Sequence, residues 1–313
     1  MKSFKNFQIE GKVIPDQNTV KGNSSMPQYV YILEDNLQEK LITFGGKAYP
    51  KNSQVVILAG APASGKGFTI TNLLGIEGRT FDVDQLKKMI IRSEHIAKVV
   101  KEKTGVDVKS LNMKRPEDVT TLHNILADPM FSYPKREQDQ MFRELTQIAY
   151  TSDEHKPNII FDVTLEKLKK LKDLSERVQD IGYKKENIHI VWVLTHIEVA
   201  RKQNQQRERT IGDEILLDIA KGVSITMKQL LSDSQVLRKY ADGDFWISAN
   251  TVGVDSKISK SGRGGSFVEK SNYFLIKKKS QAPKSIEEIG KIKIGDTNLL
   301  QKIQDYTPKI DNW

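Results

Sequence analysis

Val55-Val56-Ile57-Leu58-Ala59 is an unbroken apolar run, rich in β-branched residues, that passes straight into Gly60-Ala61-Pro62-Ala63-Ser64-Gly65-Lys66-Gly67-Phe68-Thr69. A strand with no polar side must be covered on both faces, which predicts a parallel sheet layered with helices. The small residues after it let successive backbone N–H groups curl around a β-phosphate. A helix start at this point adds positive potential, and Lys66 can reach the β- and γ-phosphates. The plainer reading of the same residues is a tight strand-to-helix turn.

Further along, strand and helix patterns alternate. Thr80-Phe81-Asp82-Val83 reads as a second strand, followed by an amphipathic stretch from Asp84 to Lys103. Helices are expected over Pro116–Ala127, with proline in the first turn, and over Lys135–Tyr150. Asn158–Val163 and Ile188–Leu194 read as buried strands, and Asp244–Ser248 as another. Helical patterns at Leu165–Asp180, Glu198–Glu208 and Gly212–Leu231 lie between them. This alternation, with the phosphate-binding turn after its first buried strand, predicts an α/β fold, a three-layer P-loop NTPase sheet flanked by helices, with small N- and C-terminal additions.

Three parts are expected: a β-rich appendage over 1–50, the P-loop domain over 51–250 and a basic extension over 251–313. In the first, Gln28–Leu33 and Leu41–Phe44 read as strands; in the last, Lys257, Lys260, Ser261-Gly262-Arg263-Gly264-Gly265 and Lys277-Lys278-Lys279 dominate. The tail from Gln281 to Trp313 reads as loosely attached.

Composition narrows the chemistry. Among 313 residues, 49 Lys+Arg against 40 Asp+Glu leave a formal charge of +9, which favours an anionic partner such as a nucleotide, a nucleic acid or a phosphorylated small molecule. The absence of cysteine excludes disulfides, thiolate metal sites and cysteine nucleophiles. No apolar leader follows Met1 and no run approaches membrane-spanning length, so a cytoplasmic protein without a membrane partner is expected.

Three more clusters carry possible chemistry. Asp162 ends the run Ile159-Ile160-Phe161, at the carboxyl end of a strand where open α/β sheets place ligands, and can hold the water shell of Mg²⁺; capping the next helix is the alternative, and Thr164 reads as a cap. Asp82, Asp84 and Lys87 mark the second strand's end. An Asp there can take a proton from a substrate hydroxyl while a cation guides the phosphate, although Asp84 also suits a helix cap. Arg201, Arg207 and Arg209 follow the fourth strand, as a mobile lid over phosphates or as a solvated basic face. His95, His123, His155, His189 and His196 lack metal-ligand spacing, and Tyr133 is a weak candidate for a substrate loop.

The loop resembles that of adenylate-kinase-type nucleotide kinases, which also place glycine after the lysine, as Gly67 does here; those kinases continue with threonine, whereas this chain has Phe68 and then Thr69. In order, the four clusters resemble P-loop kinases of the zeta-toxin and polynucleotide-kinase type, including kinases found in bacteriophage genomes. That resemblance covers Val55 to Ala249 and implies the kinase-type form of the P-loop sheet. It implies ATP and Mg²⁺ as cofactors, with Lys66 and the loop from Gly60 to Thr69 holding the nucleotide and Asp162 the metal. It also implies Asp84 as general base, with Lys87 where the polynucleotide kinases have arginine, and Arg201, Arg207 and Arg209 as lid arginines. The acceptor would be a hydroxyl on a nucleic-acid end or a nucleotide sugar, and a phage-encoded kinase would work in host cytoplasm. The other classes are an ATPase or nucleotide-dependent switch on nucleic acid or within a larger assembly, and a structural protein with a vestigial loop.

Overall fold

Every residue of the run at 55–59 is buried, and it forms strand β1 (Val55–Ala59). The computed structural model describes residues 42–82, 91–131, 133–149, 155–260 and 266–310. After β1 come α1 (Lys66–Asn72), β2 (Arg79–Asp82), α2 (Glu94–Thr104), α3 (Pro116–Ala127), α4 (Tyr133–Ala149), β3 (Ile159–Asp162) and α5 (Leu168–Asp180). Next are β4 (Ile188–Leu194), α6 (Ile197–Gln206), α7 (Asp213–Ser232), α8 (Ser234–Tyr240), β5 (Phe245–Ala249), β6 (Ser256–Lys260) and β7 (Ser266–Lys277). The chain continues through α9 (Ile286–Gly290), a small hairpin of β8 (Lys293–Ile294) and β9 (Thr297–Asn298), and α10 (Leu299–Tyr306).

The main sheet has the order β2-β3-β1-β4-β5-β7-β6. Its first five strands run parallel, and β7 and β6 are antiparallel additions. After β1 the chain crosses to β2 on one side, and after β3 it passes over β1 to β4 on the other, which opens a crevice at the carboxyl end of β1.

Alternate residues of the central strands feed two cores. Val55, Ile57, Phe161 and Trp192 pack beneath α5, α7, α8 and α10; Val56, Leu58, Val191 and Val193 pack against Leu73 and Leu74 with Ile42 and Phe44. The result is a three-layer α/β sandwich. A third cluster, with Ala97, Val100, Leu122, Leu126 and Phe131, joins α2 to α3 beside the crevice.

Some expectations fall outside the described residues and others change. Gln28–Leu33 and the rest of residues 1–41 lie outside the described residues, as do Val83, Asp84 and Lys87. Where a strand was expected at Leu41–Phe44, Ile42 and Phe44 make single β-bridges, and both are buried in the second core. Helix α5 begins at Leu168 rather than Leu165, because Leu165 takes a left-handed φ of 54° that interrupts helical geometry. The basic extension supplies β6 and β7 to the main sheet. Its tail is firmly packed: Ile289, Leu299, Ile303 and Tyr306 join the principal core. The surrounding lysines conceal that apolar spacing in the sequence. Lys277 itself is buried, donating to the carbonyls of Asp242 and Gly243 at 2.9 and 2.7 Å.

Candidate functional site

A cleft of about 1050 Å³ opens at the carboxyl ends of β1, β2 and β3. One wall is the turn between β1 and α1, where residues from Pro62 to Phe68 face the cavity. Gly65 turns the chain with φ 86°, a left-handed conformation that a side chain resists. Lys66 folds back over the turn, its Nζ donating to the carbonyls of Gly60 and Ala61 at 3.2 Å each. The same ammonium lies 3.9 Å from Asp162 Oδ1. Gly60 and Ala61 thus hold the lysine by their backbones. The backbone of Thr164 braces the turn from beneath, its carbonyl accepting from Gly60 N–H at 3.1 Å.

Asp162 does not cap a helix: α5 starts six residues later, and its N-cap is Lys167. Thr164 is no cap either; it lines the cleft. Asp82 lies directly beside Asp162 in the β2–β3 register, and both face the cavity. Two hard carboxylates next to a phosphate-sized turn suit Mg²⁺, which keeps several waters and uses one or two carboxylates together with phosphate oxygens. Among the described residues no group of three or more acidic or histidine side chains is placed to hold a metal. Thr69 is fully buried and does not line the cavity, so the hydroxyl nearest in sequence to Gly67 faces the protein interior.

The arginine cluster divides. Arg207 and Arg209 line the cleft. Arg201 does not: its guanidinium bonds Asp213 Oδ2 at 2.6 and 3.2 Å and Glu198 at 3.1 and 3.2 Å, and these bonds hold its pKa above the usual arginine value. It ties α6 to α7. Buried Asn204 closes the intervening loop, donating to Ile211 O at 2.7 Å and accepting from Ile211 N–H at 3.2 Å. Lys114 Nζ donates to Arg207 O, and Thr210 N–H to Met113 O at 2.9 Å, so the arginine loop rests on the segment entering α3.

Other lining residues carry no motif. Val119, Thr120 and His123 project from α3; Ile211, Ile215 and Ile219 form an apolar wall; Lys167, Lys169 and Lys170 form a basic lip. Burial pushes the pKa of Lys170 down, with Asp173 opposing it. Ile215 and Ile219, four residues apart on α7, share a helical face that the sequence displays, and Ile211 precedes the helix. Tyr133 lies outside this lining, stacked on Phe131 at 5.8 Å between ring centroids. His189 is buried in β4, accepting from Asp244 N–H at 2.8 Å and meeting Gln54 Oε1 at 2.9 Å.

Two more residues touch the turn from the far side. Thr195 Oγ1 donates to Ser64 O at 2.7 Å. Asn250 Nδ2 donates to Ser64 O at 3.1 Å and Gly65 O at 3.3 Å. Each follows the carboxyl end of a buried parallel strand, a place where a polar residue is ordinary, so the sequence does not single them out.

The chain matches no protein-family model and no curated protein. Among solved structures it is similar to a chain from the PezAT chromosomal toxin-antitoxin system of Streptococcus pneumoniae, with 13% identity and a TM-score of 0.38 over 66% of this chain and 71% of that one. It is also similar to a chain of the AvrRxo1-ORF1:-ORF2 complex with ATP, at 11% identity and a TM-score of 0.36 over 84% of this chain. The same complex with sulphate ions gives 13% and 0.38 over 83% of this chain. The chain spans 66% of the length of each of these two AvrRxo1 chains, just under two thirds.

Proposed function

We propose that this protein is an ATP-dependent phosphotransferase that moves the γ-phosphoryl group of ATP to a hydroxyl of a nucleic-acid end or a nucleotide sugar. One observation carries the reading: Lys66 is held over the turn at the sheet's switch point, 3.9 Å from Asp162, with Asp82 adjacent in register. A cation, a curl of backbone donors and two carboxylates then converge on one cleft. That is the equipment for placing a triphosphate beside a divalent ion.

In the proposed reaction the acceptor oxygen bonds to the γ-phosphorus, the bond to the β,γ-bridging oxygen breaks, and ADP leaves. The turn and Lys66 hold the β- and γ-phosphates. Asp162 and Asp82 would hold Mg²⁺ through its waters, where the ion neutralises charge on the phosphate oxygens. Arg207 and Arg209, which line the same cleft, offset charge on the transferring group. Asp84 takes the acceptor's proton and Lys87 guides the phosphate, roles that rest on the family resemblance. Arg201 braces the arginine loop. Positioning and electrostatics supply the acceleration, since phosphoryl transfer needs little covalent help.

The test is incubation with γ-labelled ATP and Mg²⁺ against 5′-hydroxyl DNA, 5′-hydroxyl RNA, nucleosides and nucleotide sugars, with Lys66→Ala as control. Label is expected on one acceptor, with transfer reduced about 100-fold or more in the control. Free phosphate without a labelled acceptor would replace this reading by an ATPase.

A further inference from the structure

A peptide unit is planar and trans, so its C=O and N–H point in opposite directions. Whatever fixes the carbonyl of one residue therefore aims the N–H of the next. For the turn to offer donors to a phosphate, the carbonyls of Ser64 and Gly65 must point away from the cleft, into the sheet. There they are shielded from water, and a shielded carbonyl needs a donor.

The donors are the two side chains beyond β4 and β5. Ser64 O accepts from Thr195 Oγ1 at 2.7 Å and from Asn250 Nδ2 at 3.1 Å. Gly65 O accepts from the same amide at 3.3 Å and from Thr69 N–H at 3.0 Å. Thr195 and Asn250 are 6% and 3% exposed, so water cannot readily take their place. The amide orientation follows from its surroundings, because the reverse would aim Oδ1 at two carbonyl oxygens. The packing is tight enough that a Cβ on Gly65 would stand 1.9 Å from Asn250 Nδ2.

We infer that Thr195 and Asn250 are positioning residues which, by holding the carbonyls of Ser64 and Gly65, aim the N–H groups of Gly65 and Lys66 into the cleft. They act through the backbone and touch no substrate. The inference rests on the reading that the turn binds phosphates, and extends it to two side chains outside the loop. Asn250 is in turn anchored by its neighbour: Thr251 Oγ1 accepts from His196 N–H at 3.0 Å, joining the residues that follow β4 and β5.

The experiment measures the Kd of Mg²⁺-ATP by titration calorimetry, and Tm without nucleotide, for wild type, Asn250→Asp, Asn250→Ser and Thr195→Val. Asn250→Asp keeps the shape but sets a carboxylate against two carbonyls. It is expected to weaken ATP at least 30-fold, more than Asn250→Ser, while Thr195→Val weakens it 3- to 10-fold with Tm nearly unchanged. A role in folding alone predicts a different pattern, in which Tm falls and the folded fraction keeps wild-type affinity; that result would overturn the inference. So would unchanged Kd in Thr195→Val and Asn250→Ser, the milder variants that decide the question if Asn250→Asp does not fold. Failure of the wild type to bind ATP would instead remove the phosphate reading itself, and this inference with it.

Discussion

Gly65, the last residue of the turn, and Gly67, at the start of α1, stand two residues apart and answer to different constraints. At Gly65 a side chain meets both a left-handed backbone and the Asn250 amide. At Gly67 nothing lies within 4 Å of an added Cβ, and the position faces the cleft. Gly65→Ala is therefore expected to weaken ATP binding more than tenfold, at a conformational cost of about 1–2 kcal/mol before any clash. Gly67→Ser is expected to fold normally and to lower the Mg²⁺ concentration needed for half-maximal ATP binding, because it places a hydroxyl directly after Lys66, where this chain has none. A Mg²⁺ titration of ATP affinity in the two variants checks both. The turn was legible in the sequence because backbone curvature and a reaching lysine demand fixed residue types at fixed spacing. Thr195 and Asn250 were not, since a polar residue after a strand is ordinary until its partner, more than 100 positions away, is known.

At the scale of elements, the loop from α6 to α7 separates an arginine held in ion pairs from two that line the cleft. Arg201 is bound to acids on both helices, whereas Arg207 and Arg209 face the cavity. Arg201→Ala is expected to lower Tm only slightly, because an exposed ion pair contributes little to stability, and to leave kcat within about threefold of wild type. Loss of the arginine that meets the transferring phosphoryl group is expected to lower kcat by about 10³-fold. Transfer assays on Arg201→Ala, Arg207→Ala and Arg209→Ala, with melting curves alongside, check the division. The sequence could not make it, because the carboxylate that captures Arg201 belongs to Asp213, in the next helix. Helix identities were legible from periodicity and from Pro116, whose predicted helix agrees with α3 at both ends. The start of α5 was displaced by one left-handed leucine that no propensity marks.

Over the whole molecule, the parallel strands followed from their apolar runs, but strand order and the place of the basic segment depended on long-range packing. At the end of the sheet away from the cleft, the neutral ring of His189 accepts from Asp244 N–H, and burial with help from Lys279 and Lys277 pushes its pKa down to about 3. Because this value lies below the ordinary 6.5, the unfolded chain binds the proton more readily. The stabilisation is complete above pH 6.5 and shrinks as pH falls towards 3, by about 2 kcal/mol at pH 5. Urea unfolding at pH 7 and pH 5 is expected to show this loss, and His189→Gln to flatten it while lowering stability at pH 7.

The far end of the described chain is bound to the region beside the cleft. Asp255, fully buried after β5, accepts from Thr251 N–H at 3.4 Å, Asn272 Nδ2 at 3.0 Å, Tyr306 OH at 2.7 Å and Lys302 Nζ. Two of those donors stand on α10, whose Leu299 and Ile303 also fill the main core. A ribosome delivers residues in order, so the strands that form the cleft are synthesised long before the helix that neutralises this carboxylate. The nascent chain must carry an incompletely covered sheet until residues 299–306 clear the exit tunnel, and chaperones would have their longest opportunity to engage it during that interval.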